Sequence, residues 1–307
     1  MTPAVSLQGL TRRFGEVAAV DHLSFDVAAG ELFGIVGPDG AGKTTTLRML
    51  AGVLRPTEGT AVIQGIDVAT DPEGVKPHIA YMAQRFGLYE DLTVAENLDF
   101  YADLYTVPRK ERPARLERLY TFSRLHEFTD RLAGNLSGGM KQKLSLSCCL
   151  IHQPDVLLLD EPTFGVDPIS RRELWLILHE MVEEGVTVIA STSYLDEAER
   201  CDRVVLLDEG QTIALDRPQI LQGGMTGTMV SVQTPEPRRS RDLLRTSGIV
   251  QSASLFGDRV HALADSSEAA DRIPGFLAEH DVSVELMAEI APSLEDVFIH
   301  LVETNDA

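Results

Sequence analysis

The sequence predicts an α/β fold around a buried, largely parallel sheet, followed by a smaller α+β unit near the C-terminus. Three observations lead there. The run GPDGAGKTT, Gly37 to Thr45, fits G-x-x-x-x-G-K-[ST] without a gap, between an apolar strand-like run and a helix-forming one. Continuous apolar runs such as residues 156–159 and 186–190 alternate with helical patterns of ten or more residues. After Gln222-Gly223-Gly224 the pattern changes to the β-α-β-β-α-β order of a ferredoxin-like split unit. The expected division is therefore residues 1–222 and 226–307.

In chain order, residues 5–7, 23–27, 32–36 and 60–63 read as short strands bounded by Gly30, Gly59 and Gly65. A helix over about 42–53 follows the glycine-rich loop, and Pro56-Thr57-Glu58-Gly59 is turn chemistry after it. A strand at 79–82 leads to Gln84. Residues 93–125 carry helical periodicity, divided into two helices by Pro108, and the basic run 109–118 reads as a solvated face. A helix from Ser137 to about 152 precedes the buried strand 156–159. Residues 170–184 form a helix with Ser170 as N-cap and Gly185 at its end. Strands at 186–190 and 204–207 close the first unit. In the second unit, strands at 229–233, 250–255, 259–263 and 282–288 enclose helices at 237–247 and 268–280, and a last helix spans 293–302.

Composition narrows the function. The 307 residues are long for one domain, and 44% hydrophobic with 24% charged residues is ordinary for a globular chain. Lys+Arg number 27 against 47 Asp+Glu, a formal net charge of −20. That leaves little to build a basic patch, so nucleic acid and anionic bilayers are not the expected partners. Cys148 and Cys149 are adjacent and Cys201 is distant; they make no metal spacing and no disulfide framework, and suit a reducing cytosol. No signal-type N-terminus is present, and no run approaches the ~18–20 apolar residues of a membrane span. Work at a membrane would need another chain as anchor.

Two constellations carry the chemistry. In the loop Gly37-Pro38-Asp39-Gly40-Ala41-Gly42-Lys43-Thr44-Thr45, the glycines let the backbone curl and approach a ligand. The N–H groups of the loop and helix N-terminus make a nest for polyphosphate. Lys43 reaches the β- and γ-phosphates, and the Thr44 hydroxyl suits Mg²⁺. The plainer alternative, a glycine-rich turn that happens to hold a lysine, explains neither the spacing nor the flanks. At the end of the strand 156–159, Asp160 can hold Mg²⁺ through its water shell, and Glu161 can act as general base on the attacking water. Ser137-Gly138-Gly139 then opens a helix about a hundred residues on, a second anion-binding end in one chain. Two such ends suggest two different nucleotide sites.

With Leu136-Ser137-Gly138-Gly139 the sequence resembles the nucleotide-binding subunits of ATP-binding cassette (ABC) transporters, over nearly the whole chain. The resemblance implies a P-loop ABC nucleotide-binding domain, with a mixed-sheet core, a β-subdomain and a helical subdomain at about 86–152. It implies MgATP between the loop of one cassette and the Ser137, Gly138, Gly139 and Asp167 of another. It implies that Phe14 stacks on adenine and that Gln84 contacts Mg²⁺ and the attacking water while sensing the membrane partner. It makes Gly165-Val166-Asp167 a loop crossing the dimer interface. The ending Ala291 to Phe298 looks like the extension of ATPases that serve ABC-2 type exporters. The implied partners are integral-membrane ABC-2 permease subunits and a second cassette, identical or different, and the implied place is the inner face of the membrane. A soluble ABC ATPase of translation or DNA maintenance is the runner-up, disfavoured by the single cassette and the acidic charge. A regulatory ATP sensor is disfavoured by the intact Asp160 and Glu161.

Four positions depart from the family pattern. Asp39 replaces an Asn, Ala83 precedes Gln84 where Pro is common, and Met140 stands where Gln is common. Most consequentially, Ser193 occupies the position of the switch histidine, with the nearest alternative, His179, on the preceding helix. A serine is shorter and uncharged, and losing one positioned transition-state donor costs on the order of 10²–10³ in rate. The expectation is a site that binds ATP well and hydrolyses it slowly. Tyr81, Phe86, Tyr89, Phe100, Tyr101 and Tyr105 crowd into one stretch, either as a groove for a permease helix or as packing of the helical subdomain. Phe86 and Tyr89 are the ones favoured for contact with a partner.

Overall fold

The computed structural model describes residues 2–85 and 87–305, and the chain divides between Leu215 and Asp216 into two compact units. In the first unit, strands β1 (Val5–Phe14) and β2 (Val17–Val27) pair antiparallel, and β1 also pairs with β4 (Glu58–Ile63), which turns back into β5 (Ile66–Asp67). These form a four-stranded sheet in the order β2-β1-β4-β5. Between β2 and β4 the chain makes β3 (Leu32–Val36) and helix α1 (Lys43–Leu50). Short helix α2 (Pro72–Val75), capped by the Asp71 carboxylate, leads to β6 (Ile79–Met82).

The helical segment comprises α3 (Val94–Leu104), α4 (Arg112–Ser123) and α5 (Gly138–Leu150). Thr93 and Glu96 form a reciprocal capping box at the start of α3. Then follow β7 (Val156–Asp160), α6 (Pro168–Glu183), β8 (Thr187–Thr192), α7 (Leu195–Ala198), β9 (Arg203–Asp208) and β10 (Gln211–Asp216). The second sheet runs β10-β9-β3-β8-β7-β6, with β3 parallel to both β8 and β9, and β7 parallel to both β6 and β8. All five residues of β3 and of β7 are buried, as an apolar run without alternation requires of a strand covered on both faces. Leu47 and Leu50 of α1 join Phe33, Ile35, Leu158 and Ile189 with Leu7 and Phe25 of the antiparallel sheet in one core. This fixes α1, and with it the loop from Gly37, against both sheets.

The second unit begins with α8 (Pro218–Gly223), then β11 (Thr228–Gln233), α9 (Pro237–Thr246), β12 (Val250–Phe256) and β13 (Arg259–Ala264). It ends with α10 (Ser267–Ala270), α11 (Ile273–Glu279), β14 (Leu286–Glu289) and α12 (Leu294–Asn305). Its sheet is antiparallel in the order β12-β13-β11-β14, the arrangement of a split β-α-β-β-α-β unit.

Several local expectations are corrected. The helix before β8 is capped by Asp167, whose carboxylate accepts from the N–H groups of Ile169 and Ser170. Pro168 at the first helical position needs no acceptor, so the helix starts two residues before Ser170. The helix expected at 268–280 is broken into α10 and α11, because Pro274 has no N–H to donate back to Ala270. Val282 is core packing at the end of α11, where its N–H bonds Leu277 O, so the following strand is only four residues long.

Candidate functional site

Gly42, at φ 98°, caps α1, and a Cβ there would stand 2.5 Å from Ala19 O. No other residue fits. Gly40 shares the left-handed region, whereas Gly37 does not; a Cβ on Gly37 would stand 2.2 Å from Leu207 O. Gly37 is thus required by the neighbouring strand rather than by a ligand. The first helical bond runs from Thr46 N–H to Gly42 O, so the N–H groups of Lys43, Thr44 and Thr45 have no acceptor in the helix. They add the positive end of α1 to the mouth of the loop.

Lys43 is 4% exposed and points back into the loop, donating to Gly37 O at 2.8 Å and Pro38 O at 3.0 Å. It also donates to Ser193 Oγ at 2.8 Å and pairs with Glu161 Oε1 at 3.2 Å. Thr44 Oγ1 donates to Asp160 Oδ1 at 2.9 Å. The order of β3, β8 and β7 in the sheet brings these groups together from positions more than a hundred residues apart. Gln84 Nε2 reaches Glu161 Oε2 at 3.2 Å. A cavity of about 170 Å³ is lined by Asp39, Gly40, Gly42, Lys43, Thr44, Thr45, Gln84, Glu161 and Ala19. Enclosed small-molecule sites measure roughly 300–1,000 Å³. This one has room for phosphates and leaves the rest of a nucleotide to be covered otherwise.

Glu161 takes a left-handed backbone, φ 48°, unusual for a side chain of its size. Its N–H donates to Ser191 Oγ at 3.0 Å, and that hydroxyl donates to Asp160 Oδ1 at 3.0 Å. Tyr81 completes the surroundings of Asp160, donating to Oδ2 at 3.3 Å. Burial first, and the Asp160 charge second, push the Tyr81 phenol up to about 12, so it remains a donor. Ser191 was missed at this site by the sequence reading, and Tyr81 was grouped with the aromatic stretch of the helical subdomain, whereas Tyr81 stands on β6 beside Asp160.

Ser193 Oγ sits among three charged groups. Besides accepting from Lys43, it lies 2.8 Å from Glu161 Oε1 and 3.4 Å from Asp39 Oδ1. A hydroxyl has one proton, so it serves one carboxylate at a time, and the shorter contact favours Glu161. His179, on α6, does not line the cavity.

Other expected residues lie outside this cluster. Phe14 is 49% exposed at the end of β1, with the Arg12 guanidinium 4.6 Å over its ring, and does not line the cavity. Ser137 caps α5 by accepting from Met140 N–H at 3.3 Å. Ser137 and Gly138 are exposed, but Gly139 is buried, and a Cβ there would stand 2.3 Å from Ser170 Oγ. Gly139 lets α5 approach α6. Asp167 is exposed, and its bonds to the N-terminus of α6 hold its carboxyl below the usual range. The aromatic stretch splits by burial. Tyr101 and Tyr105 are half-buried, with Tyr105 stacked on His152 at 3.9 Å, while Tyr89 and Phe100 are exposed and meet edge to face at 4.6 Å. Phe86 lies outside the described residues.

With this geometry in hand, comparison with known proteins is direct. A family model described as ABC transporter matches residues 20–164. The chain is 44% identical over 301 residues to the probable multidrug ABC transporter ATP-binding protein YbhF of Escherichia coli (strain K12), covering 97% of this chain and 52% of YbhF. It therefore spans about half the length of that relative. It is 35% identical over 304 residues to the daunorubicin resistance ATP-binding protein DrrA2 of Streptomyces coeruleorubidus, covering 97% of this chain and 94% of that one. It is 34% identical over 300 residues to Nod factor export ATP-binding protein I of Burkholderia lata, covering 97% and 96%. Among solved structures, an ATP-binding subunit of an ABC transporter superposes with a TM-score of 0.65 at 30% identity, over 72% of this chain and 92% of that one. A dimeric ATP-binding cassette in a post-hydrolysis state with ADP and Pi gives 0.63 at 25% identity, over 69% and 98%. The cavity around Lys43 and these likenesses, two of them spanning nearly the full length of both chains, have a single conclusion: the chain belongs to the family of ABC transporter ATP-binding proteins.

Proposed function

We propose that this chain is the ATP-binding and ATP-hydrolysing subunit of an ABC-2 type exporter, working through a separate membrane permease. The observation that carries the reading is the meeting of Lys43, Thr44, Gln84, Asp160 and Glu161 around one phosphate-sized cavity. The names of the relatives, which concern multidrug, daunorubicin and Nod factor export, supply the direction. Among the described residues, no helix is long and apolar enough to cross a membrane, so attachment at the inner face is assigned to the permease.

Each residue has a role in this reading. The loop from Gly37 to Thr45 and the N-terminus of α1 bind the polyphosphate. Lys43 must leave Glu161 to take the phosphates, and the freed Glu161 carboxylate then accepts the proton of the attacking water. Gln84, already on Glu161, orients that water. Mg²⁺ fits the donors present: the Thr44 hydroxyl and the Asp160 carboxylate, 2.9 Å apart, are the hard oxygen groups that would hold it, Asp160 through the ion's water shell. When bound, the ion neutralises charge on the phosphates. Phe14 is assigned to the adenine, and Ser137, Gly138, Gly139 and Asp167 to the ATP of a second cassette, identical or different. Tyr89 and Phe100 are assigned to the permease contact. Ser193 makes this site slow, so a partner cassette with a histidine at that position would carry most turnover.

The test is Glu161→Gln in the purified chain. ATP binding measured by equilibrium dialysis should be kept or tightened, because the carboxylate that competes for Lys43 is gone, while phosphate release falls by about 10² or more. A variant that hydrolyses as fast as wild type would remove Glu161 from the reaction.

A further inference from the structure

Behind the cavity lies a buried carboxylate to which the reading above gives no role. Glu197, on α7, is fully buried. Its Oε2 accepts from the hydroxyls of Thr163 and Thr192, both at 2.8 Å. Its Oε1 faces Arg171 Nε at 3.2 Å. That contact is a charge pair without hydrogen-bond alignment, and both atoms are buried with no other partner. The Arg171 guanidinium also lies 4.3 Å over the Tyr194 ring and 3.9 Å from Asp196.

These contacts join three segments of the first unit. Thr163 stands two residues after Glu161. Thr192 immediately precedes Ser193, and its hydroxyl accepts from Tyr194 N–H at 3.0 Å. Arg171 lies in the first turns of α6, where its N–H donates to Asp167 O at 2.9 Å. Burying a carboxylate is costly unless it is paired and hydrogen-bonded. Here the compensation comes from all three segments at once, so it holds only while they keep their places.

We infer that Glu197 is a positioning residue that holds Glu161 and Ser193 in register with α6, so that movement of the helix headed by Asp167 is felt at both. The misaligned Arg171–Glu197 pair is where that movement registers, because a small rotation of α6 makes or breaks a buried ionic hydrogen bond. The inference rests on the reading that the Lys43 cavity takes ATP, and it adds a residue that no phosphate touches.

Trp175 provides the probe. It is the single tryptophan of the chain, buried on α6 one turn beyond Arg171, with its indole N–H unpartnered. MgATP is titrated into the full chain and followed both by Trp175 emission and by binding of radiolabelled ATP. In wild type, emission changes saturably with occupancy. Glu197→Gln and Arg171→Gln bind ATP within about threefold of wild type but lose most of the emission change, and kcat falls about tenfold with KM nearly unchanged. Arg171 is partly exposed, so its replacement keeps the test available if Glu197→Gln fails to fold. Wild-type emission amplitude in either folded variant, or ATP binding by wild type without any emission change, overturns the inference and leaves the reading of the cavity standing. Failure of wild type to bind ATP sinks both.

Discussion

At the scale of residues, the site is defined by what surrounds the Lys43 ammonium. Its charge is already engaged by Glu161 at 3.2 Å and by two loop carbonyls, so a nucleotide competes with the protein for it. Asp39 adds a second carboxylate to the lining of the same cavity. Replacing that carboxylate by the family's amide removes repulsion of about 1 kcal/mol from the phosphates. Asp39→Asn should therefore tighten ATP binding about fivefold at low ionic strength, and the difference should shrink as salt is raised. A titration showing equal affinities at low salt would refute this. The spacing of the glycine-rich loop made Lys43 and Thr44 legible in the sequence, and the apolar run before Asp160 did the same for the acids. Ser191, Tyr81 and Glu197 were not legible. Ser191 and Tyr81 act through hydrogen bonds to Asp160 on the neighbouring strand, and Glu197 through contacts gathered from Thr163, Thr192 and Arg171; no local pattern encodes those adjacencies.

At the scale of elements, caps and prolines decided where the sequence reading held. The parallel strands were plain because burial on both faces leaves continuous apolar runs. The start of α6 was misplaced because Asp167 and Ser170 are both good caps, and only Pro168 at the first helical position separates them. The C-terminal helix α12 shows a cap that also reports on pH. Asp296 bonds the Ser293 N–H at 2.8 Å, and His261 Nδ1 lies 3.0 Å from its other oxygen. Burial raises its pKa, but the His261 and Ser293 bonds outweigh that and hold the carboxyl below its usual value of 3.8. A depressed carboxylate stabilises the folded state above its unfolded pKa, and this contribution is lost as pH falls through the folded one. Asp296→Asn should lower the Tm at neutral pH, and the difference from wild type should shrink below about pH 4. Parallel Tm curves for the two proteins across the acid range would count against it.

At the scale of the whole molecule, the change of pattern near residue 222 was visible because glycines interrupt the alternation of strands and helices. The structure divides the chain somewhat earlier, after Leu215, so that α8 belongs with the second unit, where it packs on α12. Every residue lining the Lys43 cavity lies before that division. We propose that the first unit is a self-sufficient nucleotide-binding domain. A fragment of residues 1–216, ending with β10, should bind ATP within about threefold of the full chain by equilibrium dialysis. Loss of binding in a folded fragment would show that the second unit contributes to the site.

The central claim is that this cavity binds ATP readily and turns it over slowly because Ser193 stands where a histidine would reach the γ-phosphate. The most direct measurement is ATP binding and phosphate release by the purified chain and by Ser193→His, side by side. The account predicts micromolar-range binding in both, low phosphate release by wild type, and a rise of about 10² in the variant. Brisk hydrolysis by wild type, unchanged or lowered in Ser193→His, would contradict it.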